Sequence, residues 1–138
     1  MKYNGIIESK LRVIEAKLAE IKSWEIDSFE KLTGSSMLHH ATERALQVAV
    51  EVMIDVSERI LALEGQPPQA TSAGNIRQLQ SMGILRDIPE YEEMIKFRNF
   101  IVHRYDHIDS EVIYAIVKNK LSLFEFFVKD VRKSFSAK

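Results

Sequence analysis

Arg98-Asn99-Phe100-Ile101-Val102-His103-Arg104-Tyr105 gathers two guanidinium groups, an amide, an imidazole and a phenol within eight residues. An arginine fork binds phosphate oxygens and an imidazole moves protons near neutral pH, which is what metal-free phosphodiester chemistry needs. On this reading the chain cleaves RNA through the 2′-hydroxyl. His103, with an ordinary pKa of about 6.5, takes or gives the proton. Arg98 stabilises charge building on the phosphorane oxygens. Asn99 orients the imidazole or the scissile phosphate, and Arg104 and Lys96 hold flanking phosphates. The same residues also fit a plainer role, with Arg98 paired to an acid and His103 closing a helix, and on spacing alone that role is the commoner one.

Geometry sets a condition on the chemistry. Residues five apart lie about 140° apart around a regular helix. For Arg98 and His103 to act on one phosphate, the helix must end or loosen near His103, or a second copy must complete the site. The polar run from His103 to Asp109 favours a loosened end. A histidine at a helix C-terminus also has its cationic form favoured by the helix dipole.

The elements that carry this segment follow from apolar periodicity. Ile7, Leu11, Ile14, Leu18 and Ile21 are spaced as one stripe of a helix. A short piece from Ile26 to Leu32 ends at Thr33-Gly34-Ser35-Ser36, with Ser36 a candidate N-cap. The next segment runs from about Met37 to Leu63 on the stripe Ala41, Ala45, Ala49, Val52, Met53, Val56, Ile60 and Leu63. Val48, Val50 and Ile54 add apolar surface around it, as expected for a central helix. The prolines and glycines from Gly65 to Gly74 make a loop, followed by a short helix from about Asn75 to Met82. Pro89 and the acids after it start another helix in its first turn. That helix carries Tyr91, Met94, Ile95, Phe97, Ile101 and Val102 and delivers the motif at its C-terminal end. A last helix starts at Asp109 or Ser110 and buries Ile113, Ile116/Val117, Leu121, Phe124, Phe127/Val128 and Val131. The sum is an all-α, antiparallel, up-and-down four-helix bundle with extra short helices, one domain over residues 1–138.

Composition narrows the rest. Among 138 residues, 46% are hydrophobic and 28% charged, and the net charge of −1 provides no global basic field for nucleic acid. Any RNA site is therefore a local cluster. No cysteine is present, which excludes disulfides and thiolate zinc sites. His39-His40 is a poor chelate, because neighbours on a helix point about 100° apart, so no metal and no cofactor are expected. The lack of a secretory h-region or a long apolar run predicts a soluble, cytoplasmic protein. Glu43, Arg44 and Asp55 form either a structural polar seam or the second wall of the cleft. Phe124, Phe126 and Phe127 are expected in a core or dimer interface, not a base-stacking platform.

Arg98-Asn99-x-x-x-His103 resembles the Arg-polar-x-x-x-His signature of HEPN-superfamily nucleases. With Tyr105, Ile108-Asp109 and a long terminal helix, it is similar to the HepT toxin family. Glu43-Arg44-Ala45-Leu46-Gln47, with Asp55 further along, resembles that family's second long helix. The resemblance covers essentially the whole chain. It implies a homodimer that brings two Arg/His motifs into one cleft, and a metal-independent ribonuclease in which Arg98 and His103 are the catalytic pair. Asn99, Arg104, Lys96 and Arg44 are the supporting residues. It also implies a partner, a nucleotidyltransferase-type antitoxin that silences the toxin by adding AMP to Tyr105. No membrane or DNA partner is expected. The competing expectation is a non-catalytic helical module that binds a nucleotide or the nucleotidyltransferase.

Overall fold

A computed structural model describes residues 1–103 and 109–135, with the side chains of 99–103 outside the description. Seven helices form among them, and no strand. They are α1 (Gly5–Ser23), α2 (Phe29–Thr33), α3 (Ser36–Leu63), α4 (Ser72–Ser81), α5 (Glu90–His103), α6 (Ser110–Asn119) and α7 (Leu121–Phe135). The four longer ones, α1, α3, α5 and α7, make the bundle, with α3 at its centre against α1, α4 and α5. The all-α bundle expected from periodicity is what forms.

The predicted stripe of α1 is buried at every position, from Ile7 to Ile21. Along α3 the stripe holds from Ala45 to Ile60, with Ala41 and Val52 only half-buried. Leu63 is exposed, and Leu46 and Leu61 fill the core instead. Local chemistry decides the helix starts. Asn4, Ser28, Ser35 and Thr71 each accept a hydrogen bond from the backbone N–H three residues on, which satisfies a donor the helix cannot. Ser35 is therefore the cap of α3, and Ser36 is its first helical residue. Thr71 starts α4 earlier than the Asn75 expected from sequence. Ser72 and Gly74 mimic a loop composition, but Asn75 Oδ1 ties the turn down by accepting from Gln69 N at 3.0 Å.

The last helix is two. The apolar stripe runs on from Val117 to Leu121, yet the chain breaks at Lys120 (φ −127°, ψ 4°) between α6 and α7. Lys120 Nζ then reaches Glu93 of α5 at 2.8 Å. Asp109 caps α6 as expected, accepting from Glu111 N at 2.9 Å. Phe124 and Phe127 are fully buried, while the half-buried Phe126 lies under the Arg86 guanidinium, 4.2 Å from its ring centre.

Two ion clusters lock the bundle. Arg132 of α7 forks onto Glu8 and Glu15 of α1 at 2.6–3.0 Å. Asp130 accepts from the Arg86 backbone and guanidinium, and from Tyr91 Oη at 2.7 Å. Burial alone would push the Asp130 carboxyl up, but the hydrogen bonds from Arg86 and Tyr91 outweigh it and hold it below its usual range. Replacing Asp130 by alanine leaves the buried Tyr91 phenol and the part-exposed Arg86 guanidinium without their acceptor, and is expected to cost about 2–3 kcal/mol. Tyr91→Phe should cost about 1 kcal/mol, since Arg86 keeps its partner. Urea unfolding checks the order, and an Asp130→Ala loss no larger than that of Tyr91→Phe would contradict it. Because the folded pKa is depressed, this stabilisation is complete above the unfolded value of about 3.9. It is lost as pH falls through the lower folded value.

Glu25, just beyond α1, has φ +48°, the left-handed region that favours glycine. Glu25→Gly should therefore stabilise the chain by about 0.5–1 kcal/mol. A lowered urea midpoint in that variant would contradict the strain argument.

Candidate active site at the end of α5

Helix α5 opens on Pro89, whose carbonyl accepts from Glu92 N and Glu93 N. Glu90, Glu92 and Glu93 in its first turn complement the positive end of its dipole. Its buried face is Tyr91, Met94, Ile95 and Phe97. Helical spacing puts the next core-facing place at residue 98, one turn beyond Met94 and Ile95. Arg98 occupies it. The side chain is half-buried, and its Nε is buried with no hydrogen-bond partner among the described residues. A buried guanidinium nitrogen left without an acceptor is costly. A phosphate oxygen would supply one.

His103 lies in α5, at the edge of the described residues. The side chains of Asn99 and His103 lie outside the described residues, as do Arg104 and Tyr105 entirely. Lys96 is exposed and lines a groove of about 360 Å³ between α5 and α6, with Met94, Phe97, Val112 and Ile116 on its floor. Two residues apart on a helix means about 200° around it, so the structure places Lys96 on a different face from Arg98. Arg44 is exposed on α3.

Asp55 belongs to a structural seam. It pairs with Lys10 of α1 at 2.7 Å and with Arg59 at 3.1 Å. Burial pushes its carboxyl up, but the hydrogen bonds from those two cations outweigh burial and lower it overall. Sequence reasoning missed the Asp130 and Arg132 clusters, since partners 39 to 124 residues apart leave no local pattern. Arg98 as a member of the core stripe was open to reading, because its spacing from Tyr91 and Met94 continues the apolar period. Among the described residues, no three His, Cys, Asp or Glu side chains gather as metal ligands. No helix among them is long and apolar enough to cross a membrane.

An all-α bundle in which the buried stripe of α5 runs on to Arg98, whose Nε lacks an acceptor among the described residues, defines a class of helical protein with a polar position near one bundle end. The family model described as "Ribonuclease HepT-like" matches residues 14–131. This chain belongs to that HepT-like ribonuclease family. It is 28% identical over 130 residues to the tRNA nuclease HepT of Aphanizomenon flos-aquae, covering 91% of this chain and 87% of that protein. Its fold matches the tri-AMPylated Shewanella oneidensis HEPN toxin in complex with MNT antitoxin (TM-score 0.83, 21% identity), over 95% of this chain and 99% of that one. It also matches YutE of Bacillus subtilis, described as a cytosolic protein of unknown function. There the TM-score is 0.80 at 19% identity, over 97% of this chain and 92% of the other.

Proposed function

We propose that this protein is the ribonuclease toxin of a toxin–antitoxin pair, cleaving RNA without a metal ion. Transfer RNA is the first substrate to test, given the tRNA nuclease among its relatives. The observation that carries the reading is Arg98, set in the apolar stripe of α5 with its buried Nε lacking an acceptor among the described residues. In the proposed reaction, His103 takes the proton from a ribose 2′-hydroxyl and the 2′-oxygen attacks the adjacent phosphorus. Arg98 neutralises the charge on the phosphorane. The bond to the 5′-oxygen breaks, and that oxygen receives a proton from the second copy's His103, leaving a 2′,3′-cyclic phosphate. A homodimer supplies both imidazoles and doubles the local positive charge in a protein that is not basic overall.

Silencing follows from position. The Tyr105 hydroxyl, two residues from His103, attacks the α-phosphate of ATP held by a nucleotidyltransferase-type antitoxin, and pyrophosphate leaves. The added AMP groups bring bulk and negative charge beside the catalytic pair, which blocks the cleft and repels RNA. The AMP groups on the Shewanella toxin, seen in complex with its antitoxin, support this reading. Cleavage of total tRNA by purified protein, with and without prior incubation with antitoxin and ATP, tests it. Cleavage lost in step with AMP addition is expected. An unmodified protein of confirmed mass that leaves RNA intact would favour the non-catalytic binding module instead.

A further inference from the structure

We infer that the outer face of α1 is an interface between two copies of this chain, separate from the cleft of the proposed active site. At 100° per residue, Ile6, Ser9, Val13, Ala16 and Glu20 lie within about 80° of one another around α1. All five are exposed, on the side turned away from the buried stripe that runs from Ile7 to Ile21. The face that a helix turns to water is ordinarily its most polar one. Here four successive places on it carry no charge, and Ile6 is 59% and Val13 38% exposed.

The charges of α1 sit on its flanks and are held within the chain. Lys10 reaches Asp55 of α3 at 2.7 Å on one side. Glu8 and Glu15 meet Arg132 of α7 on the other, and Arg12 folds back onto Glu8 at 3.2 Å. The apolar surface runs on past the start of the helix. The short link of residues 24–35 sets α1 and α3 antiparallel, so with Lys10 beside Asp55, Leu63 is nearly level with Tyr3. These two are 54% and 66% exposed. Four of the six large hydrophobic side chains exposed among the described residues therefore lie on this face or at its end. Scattered singly they would need no explanation; gathered, they mark a contact surface.

Charge identifies the occupant. Read along its length, the face is a cation at Lys2, then Ile6, Ser9, Val13 and Ala16, then the carboxylate of Glu20. A two-fold axis matches a patch to itself. With the axis level with Leu11, an antiparallel second copy sets Lys2 against Glu20, Ile6 against Ala16 and Ser9 against Val13. Opposite charges then meet at both ends, and each larger apolar side chain faces a smaller one. A parallel pair would set Lys2 against Lys2 and Glu20 against Glu20. Lys17 engages Glu20 through Oε1 at 3.2 Å, and Oε2 has no partner among the described residues. Helix α1 packs on α3 and α7, whereas α5 packs on α3 and α4, so this face and Arg98 belong to different sides of the bundle. A chain that also pairs through its cleft would assemble as four.

Sedimentation velocity on the full-length protein tests the interface. Val13→Asp and Ala16→Glu each place a carboxylate in the middle of the face, at positions exposed to water in the single chain. Each variant should show half the mass of wild type at the same concentration, at an unchanged melting temperature. Lys2→Glu alone brings like charges together at both ends and should weaken association by about tenfold. Combined with Glu20→Lys, it should return to within about threefold of wild type. Disulfides report the register, in a chain that has no cysteine of its own. Ile6→Cys and Ala16→Cys proteins should cross-link when mixed and not when kept apart. Like positions stand ten residues, about 15 Å, apart along the pair, and a disulfide spans less than about 7 Å between Cα atoms. Equal masses for wild type and both carboxylate variants overturn the inference, whether the protein is a monomer or pairs only through its cleft. Cross-linking of either protein alone as fast as in the mixture overturns the antiparallel match, as does a charge exchange that fails to recover association. None of these readouts uses RNA cleavage, so the ribonuclease reading stands or falls separately.

Discussion

Arg98→Ala is expected to lower RNA cleavage by about 10²–10³-fold while leaving the protein as stable as wild type or more so. The two halves come from one observation. Arg98 continues the buried stripe of Tyr91, Met94 and Ile95, and its Nε is buried without an acceptor among the described residues. A side chain there that served packing alone would be apolar. Arg98→Met sharpens the test, since it keeps the unbranched stem and discards the desolvated nitrogen. It should raise stability by about 1 kcal/mol and be as inactive as the alanine variant. Arg98→Lys should not restore activity, because an ammonium cannot reproduce the planar fork on a phosphate. A marked loss of stability in Arg98→Met, with cleavage intact, would show that Arg98 is a structural residue. Urea unfolding and cleavage rates on the same preparations decide it.

The second large effect is expected at Tyr105. Tyr105→Phe removes the one oxygen that can take AMP at that position and leaves the ring in place. Cleavage should stay within about threefold of wild type, since the hydroxyl has no part in the proposed proton transfers. Incubation with antitoxin and ATP should then add no AMP at this position and leave cleavage unchanged, whereas wild type should lose nearly all of it. In cells carrying both partners, the variant should be toxic where wild type is tolerated. If Tyr105→Phe is neutralised as fully as wild type, without a gain in mass, the antitoxin acts by occupying the cleft and modification is not the switch.

The sequence made some levels of this molecule legible and hid others, for physical reasons. Stripes buried against a neighbouring helix announce themselves at every turn, so α1, most of α3 and the first half of α5 were readable residue by residue. The break at Lys120 was not. It depends on where α6 and α7 find different partners, and Asn119-Lys120 alone is an ordinary helical pair. Thr71 as a cap was obscured by Ser72 and Gly74, which are as common in loops as in first turns. At the site, the types and spacing of Arg98 and His103 pointed to phosphodiester chemistry. The angular mismatch of a regular helix asks that α5 end or loosen near His103, and the residues that would decide this, 104–108, lie outside the described residues. The long-range ties Lys10–Asp55, Arg132–Glu8 and Tyr91–Asp130, which span from 39 to 124 residues, left no local pattern in the sequence.

The central claim is a metal-free ribonuclease whose proton-transfer group is His103. The most direct test is cleavage of tRNA in EDTA by purified wild-type protein, shown by mass to be unmodified, beside His103→Ala prepared identically. The account predicts cleavage by wild type that leaves 2′,3′-cyclic phosphate ends, and its loss in the variant at an unchanged melting temperature. Equal cleavage by both proteins, or none by wild type, would contradict it.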